Sequence, residues 1–109
     1  MFIMIVMLAA AAQPDATSEP FDFSRGYVVW AGADGGRCNY FMTDMGESAK
    51  QLTETLRENY DVTAGIEVLT DKDTPERCAI AGVRAAKRAG FQHVRVRPGT
   101  EKDRSPGIP

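Results

Sequence analysis

Histidine occurs once in the 109 residues, tryptophan once and cysteine twice, and these scarcities remove several classes of chemistry. Zinc sites draw on three or four Cys, His or carboxylate ligands at short fixed spacings, and Cys38, Cys78 and His93 stand far apart along the chain. No C-x-x-C pair is present for a dithiol oxidoreductase, no serine sits in a G-x-S-x-G elbow, and no glycine-rich loop opens a helix after a strand. Few places remain in so short a chain for a catalytic constellation. The protein is therefore read as a non-enzyme with no catalytic residue, no metal site and no cofactor.

Long hydrophobic runs are equally scarce. Residues 1–12 are apolar throughout and end in four alanines before Gln13. As a helix, this run would rise about 18 Å against a hydrocarbon core of roughly 30 Å, too short for a simple span. The run reads as a signal-peptide core cleaved after Ala12, although no Lys or Arg precedes it. A truncated or mis-started membrane anchor and a buried helix are the alternatives, so membrane contact is expected only from an uncleaved anchor. Cleavage would deliver the remainder to the periplasm.

Charge is plentiful but uneven. Residues 13–76 carry 5 basic and 13 acidic side chains, whereas residues 77–104 carry 8 basic and 2 acidic ones. A basic segment can bind nucleic acid, yet only Phe91 interleaves the cations and no reader motif accompanies them, so no nucleic-acid partner is expected. A contiguous patch of Arg84, Arg88, Arg95 and Arg97 would reopen the case for an anionic ligand. The alternative is a solvated helix face followed by the outer face of a strand.

Proline and small polar residues make residues 13–20 a flexible leader, and residues 99–109 read as a disordered tail. Between them, residues 21–98 form one domain. Residues 26–31 and 37–42 are strand-like, rich in β-branched and aromatic side chains, and Ala33-Asp34-Gly35-Gly36 between them predicts a hairpin. Met45, Ala49, Leu52, Leu56 and Tyr60 recur at helical spacing, with Asp44 and Glu47 as a capping box and an exit near Asn59 or Asp61.

A strand over residues 64–69 follows. Asp73 and Glu76 then offer a second capping box, with Pro75 in the first turn of a helix that ends at Gly90. On that helix Ala79, Gly82, Val83, Ala86 and Ala89 share one face, small enough to sit close to a sheet, and Arg77, Arg84, Lys87 and Arg88 lie opposite. The last strand alternates Val94 and Val96, facing inward, with His93, Arg95 and Arg97. The expected fold is α/β (α+β): one mixed sheet with two helices on one face, in the order β-β-α-β-α-β.

This order, together with Leu69-Thr-Asp-Lys-Asp-Thr-Pro-Glu76 and Arg84-Ala-Ala-Lys-Arg-Ala-Gly-Phe-Gln-His-Val-Arg-Val96, resembles the periplasmic domain of the ExbD/TolR family. Asp71, Pro75, Ala89 and Gly90 take the places of the family's strand-ending aspartate, turn proline and Ala-Gly helix stop. Thr74 and Glu76 depart from the aliphatic and aromatic residues often found there. The resemblance implies a role in proton-motive-force-coupled transport beside ExbB and TonB, or TolQ and TolA. It extends to the periplasmic domain alone, because the aspartate of the family's membrane helix has no counterpart before Asp15.

The remaining candidates concern binding and stability. In an oxidising compartment Cys38 and Cys78 are able to form a disulfide, the alternative being two separate buried thiols. Asp71, Asp73, Pro75 and Glu76 are read as a helix-capping turn, and His93 as a solvated strand residue. Trp30, on the first strand, is either core or part of an exposed sheet face; Ile80, on the charged side of its helix, is a candidate interface residue along with the four arginines. The expected function is a non-catalytic periplasmic binding module whose partner is an envelope transport protein or peptidoglycan, with a second copy as a further candidate. The rival is a small secreted enzyme or enzyme inhibitor stabilised by a disulfide, which a pocket lined by Asp71, Asp73 and His93 would favour.

Overall fold

The structure is a computed structural model that describes residues 21–43 and 45–103. The leader, the expected signal peptide, Asp44 and the last six residues lie outside them. Five strands and two helices form the fold: β1 (Tyr27–Asp34), β2 (Arg37–Phe41), β3 (Gly46–Glu47), α1 (Ala49–Asn59), β4 (Ile66–Thr70), α2 (Glu76–Ala89) and β5 (Val94–Pro98). They make one mixed sheet in the order β3-β2-β1-β4-β5. β1 is antiparallel to β2 and parallel to β4, and β4 is parallel to β5. The expected class and element order hold, with β3 as an added strand.

The hairpin between β1 and β2 turns on Gly35 and Gly36, both at positive φ (59° and 84°), with Asp34 paired to Arg37. A two-residue loop with positive φ at both positions has a twist that matches the flanking strands. The turn thus falls on the two glycines of the expected Ala33-Asp34-Gly35-Gly36 segment.

Helix α1 starts later than the apolar spacing predicts. Its N-cap is Ser48, whose hydroxyl accepts from the Gln51 amide (3.1 Å) while the Gln51 side chain accepts from the Ser48 amide (2.9 Å). The expected Asp44–Glu47 box is not the cap, because Gly46 and Glu47 pair with Phe41 and Tyr40 as a strand. Glu47 instead accepts from the Thr55 hydroxyl. Met45, assigned to the buried helix face, stands 73% exposed in front of the helix.

Helix α2 is capped by Pro75 with no side-chain hydrogen bond, so Asp73 and Glu76 do not form a capping box. Pro75 is extended and Glu76 is the first helical residue, which places Glu76 two positions short of the one a box requires. Asp71 organises the turn instead, accepting from the Asp73 amide and the Thr74 hydroxyl. Thr74 also donates to the Ala31 carbonyl of β1 (2.8 Å). Gly90 ends the helix in the left-handed conformation, as expected.

Both helices pack on the sheet face that carries Val29, Ala31, Tyr40, Ile66 and Val68, and Leu52, Leu56, Ala85, Ala86, Ala89 and Phe91 close the core. The small face of α2 is buried as the sequence predicts. Val94 packs against this core, but Val96 is 46% exposed. Its strand lies at the edge of the sheet, where the helical layer no longer covers it.

Candidate functional site

The sheet face away from the helices is built by the alternate residues of each strand: Val28 and Trp30 on β1, Glu67 and Leu69 on β4, Arg95 and Arg97 on β5. Two segments outside the strands cover it. At one end Phe21 stacks on His93 with ring centroids 3.8 Å apart, and Phe23 lies under the Arg95 guanidinium, 4.3 Å from the ring centre. At the other end the chain turns back after Pro98 through a 3-10 turn, Glu101–Asp103. A β-carbon at Gly99 would collide with the Trp30 indole, so the Gly99 backbone lies directly on that ring.

Glu67 sits between these covers and is 5% exposed. One of its oxygens, Oε2, accepts from Arg95 Nε (2.6 Å) and Arg97 Nε (2.9 Å), and Arg95 Nη2 also approaches to 2.6 Å. Burial pushes the carboxyl pKa up, but hydrogen bonds from Arg97 and Arg95 and their charges outweigh it and hold the group below its ordinary 4.5. Arg97 carries the network onward, with Nη2 2.7 Å from Asp103 Oδ1 and Nη1 3.1 Å from Asp103 Oδ2. The Arg97 hydrogen bonds and the Thr100 amide keep Asp103 well below the usual carboxylate range.

The sign of the resulting pH dependence follows from these depressed values. A carboxyl that binds protons more weakly in the folded state stabilises fully above its unfolded pKa, and the stabilisation fades as pH falls through the folded value. Stability against urea is expected to hold above pH 4.5 and to decline as pH falls below it. Glu67→Gln should reduce that slope. An acid limb of equal steepness in the variant would mean that Glu67 is not its source.

The cysteines are bonded, with Cα atoms 5.4 Å apart, joining β2 to the first turn of α2. Asp71, Asp73 and Glu76 are exposed in the loop and first turn before α2, with Pro75 half-buried among them. Asp71 follows β4, while His93 precedes β5 and receives the Ile66 amide at 3.0 Å. The two parallel strands separate them by about 15–20 Å at 3.3 Å per residue, so Asp71, Asp73 and His93 line no common pocket.

Arg84 and Arg88 project from the exposed side of α2, and Arg95 and Arg97 lie across the sheet on its other face. The four arginines are not one patch, because a helix layer and a sheet layer separate the pairs. Ile80 is 44% exposed on the cationic side of α2. Trp30 is half-buried beneath the turn after β5 rather than freely exposed. Residues 99–103, expected in the tail, belong to the fold.

Glu67, Gly99 and Asp103 escape the sequence reading. For Glu67 the signal was present as a lone carboxylate between Ile66 and Val68 in an apolar strand, a position that acidic side chains take only with a partner. Among the described residues, no helix is long and apolar enough to cross a membrane, and no group of three His, Cys, Asp or Glu side chains is placed to hold a metal ion. No protein-family model matches the chain, and a search of curated proteins returns no match either.

Proposed function

We infer that the protein is a non-catalytic binding module of the bacterial periplasm, of ExbD/TolR type and accessory to proton-motive-force-coupled transport, which takes a strand of an envelope transport protein on its β5 edge. The observation that carries this reading is the state of that edge. The Ile66 amide donates to His93 O and the Gly99 amide to Thr70 O. In a parallel ladder the inward-bonding residues alternate, so the peptide groups of Val94 and Val96 point away from the sheet. Pro98 closes the edge with no N–H to offer. The open stretch is short, carries the exposed Val96 side chain and suits strand addition.

Two further features support the setting. A disulfide persists in oxidising compartments such as the periplasm. The passage from Leu69 to Glu76 runs from a strand through a turn into a helix that Gly90 stops, and these are the segments on which the family resemblance rests.

A photo-crosslinking residue at Val96, in cells expressing ExbB–ExbD–TonB or TolQ–TolR–TolA, should capture one of these components. Val94→Pro, which removes an outward N–H, should abolish the capture while the purified variant still unfolds cooperatively. Absence of any crosslink to either system, or an unchanged crosslink in the proline variant, rules out edge pairing as the function.

A further inference from the structure

The contact between Arg97 and Asp103 has the form of a ligand in a site. Arg97 is held from behind by Glu67, whose side chain is 6% exposed, through its Nε. This leaves both terminal nitrogens facing outward as a planar fork, the arrangement that matches a carboxylate with two parallel hydrogen bonds. Asp103 fills the fork with one oxygen on each nitrogen. Arg97 Nη1 also donates to Pro98 O at 3.2 Å. The occupant arrives on a short turn whose first residue, Gly99, lies flat on Trp30, and whose Thr100 amide and hydroxyl both donate to Asp103 Oδ2 (2.7 and 3.0 Å).

Such an arrangement has three parts: a preorganised cation with a buried counter-charge, an aromatic shelf that admits only backbone without a side chain, and a replaceable carboxylate. We propose that Arg97, backed by Glu67 and flanked by Trp30, is a carboxylate-recognition site for an acidic peptide with a glycine four residues before its Asp, and that Asp103 occupies this site in cis. The partner segment would replace residues 99–103 one for one. Glycine would lie on the indole and the carboxylate would enter the Arg97 fork. The site lies on the second sheet face, at the Pro98 end of β5, and does not depend on strand pairing at Val94 and Val96.

A segment tethered next to its own site competes at an effective concentration in the millimolar range, so the intact chain should resist a free peptide strongly. The experiment uses the full chain and the capped peptide Gly-Thr-Glu-Lys-Asp, read by the emission of the single tryptophan. Two variants free the site by different routes: Asp103→Asn removes the charge from the turn, and Gly99→Val lifts the turn from the ring.

Each variant should shift Trp30 emission to the red, and the peptide should reverse the shift. The peptide should bind each variant at least about tenfold more tightly than the unaltered protein. A peptide ending in Asn, or the added substitution Arg97→Gln, should lose about tenfold or more of that affinity. Failure of the peptide to bind both variants at up to about 10 mM overturns the proposal and leaves residues 99–103 as a fixed part of the fold. Equal binding of the Asp and Asn peptides, or binding that survives Arg97→Gln, overturns it as well.

Discussion

Reduction of the Cys38–Cys78 bond, or its replacement by two alanines, is expected to cost about 4 kcal/mol of stability. The bond closes a loop of 40 residues, and the chain-entropy model gives about 3.9 kcal/mol for that length. A domain of this size has a total stability at the low end of about 5–15 kcal/mol, so most of it is at stake. Local structure points the same way. Helix α2 begins at Pro75 without a side-chain cap, so its first turn is held by the disulfide and by the Tyr40 hydroxyl, which donates to the Cys78 carbonyl at 2.6 Å.

Loss of the bond should therefore free the start of α2 as well as enlarge the unfolded ensemble. Urea unfolding with and without a reductant tests this. At a slope near 1 kcal/mol/M, the midpoint should fall by about 3–4 M, or the reduced chain should be largely unfolded without urea. A fall of less than about 0.5 M would mean that the bond contributes little.

Substitutions at Gly82 should form a steep series. Gly82 lies close against the sheet, where an added β-carbon would lie 2.9 Å from Tyr40 Cε1 and 3.3 Å from Val68 Cγ1. Tyr40 cannot retreat cheaply, because its ring is fully buried and its hydroxyl is engaged. Alanine gains roughly 1 kcal/mol of helix propensity over glycine, which offsets part of the overlap. Gly82→Ala is thus expected to destabilise by about 1 kcal/mol net. Gly82→Leu drives three more carbons into the same contact and should cost about 3 kcal/mol or more.

Thermal unfolding reads the series directly, at about 4–8 °C per kcal/mol for a domain of this size. A leucine variant that melts within about 2 °C of the original would show that α2 floats over the sheet rather than pressing on it.

Several features of the fold are written locally in the chain. The Gly35-Gly36 turn, the small face of α2 and its Gly90 stop each depend on residues within a few positions of one another, so periodicity and turn chemistry suffice to read them. The start of α1 was misread because Asp44-x-x-Glu47 is followed at once by Ser48-x-x-Gln51, a second capping pattern. Pairing of Glu47 with Tyr40, a contact absent from local sequence, decides for the second.

The candidate site was the least legible part. Glu67 meets its partners 28 and 30 residues downstream, and no local rule announces a register between two strands separated by a helix. The four arginines were grouped by charge, yet strand and helix geometry sends two to each side of the sheet. The exposure of Val96 likewise depends on β5 being an edge strand, which alternation alone does not reveal.

The parallel alignment of β1, β4 and β5 also determines how the domain would respond to tension. β1 begins beside Ile66, at the same end of the sheet where β5 starts, and β5 finishes at the opposite end beside Thr70. A pull applied between Phe21 and Asp103 therefore runs along the strands rather than across them. It loads the β1–β4 and β4–β5 ladders in shear, so their hydrogen bonds share the force and must break together rather than unzip one at a time. Placed between two tethered points, the domain would transmit a longitudinal load as a stiff element, with its helical layer lying outside the line of force.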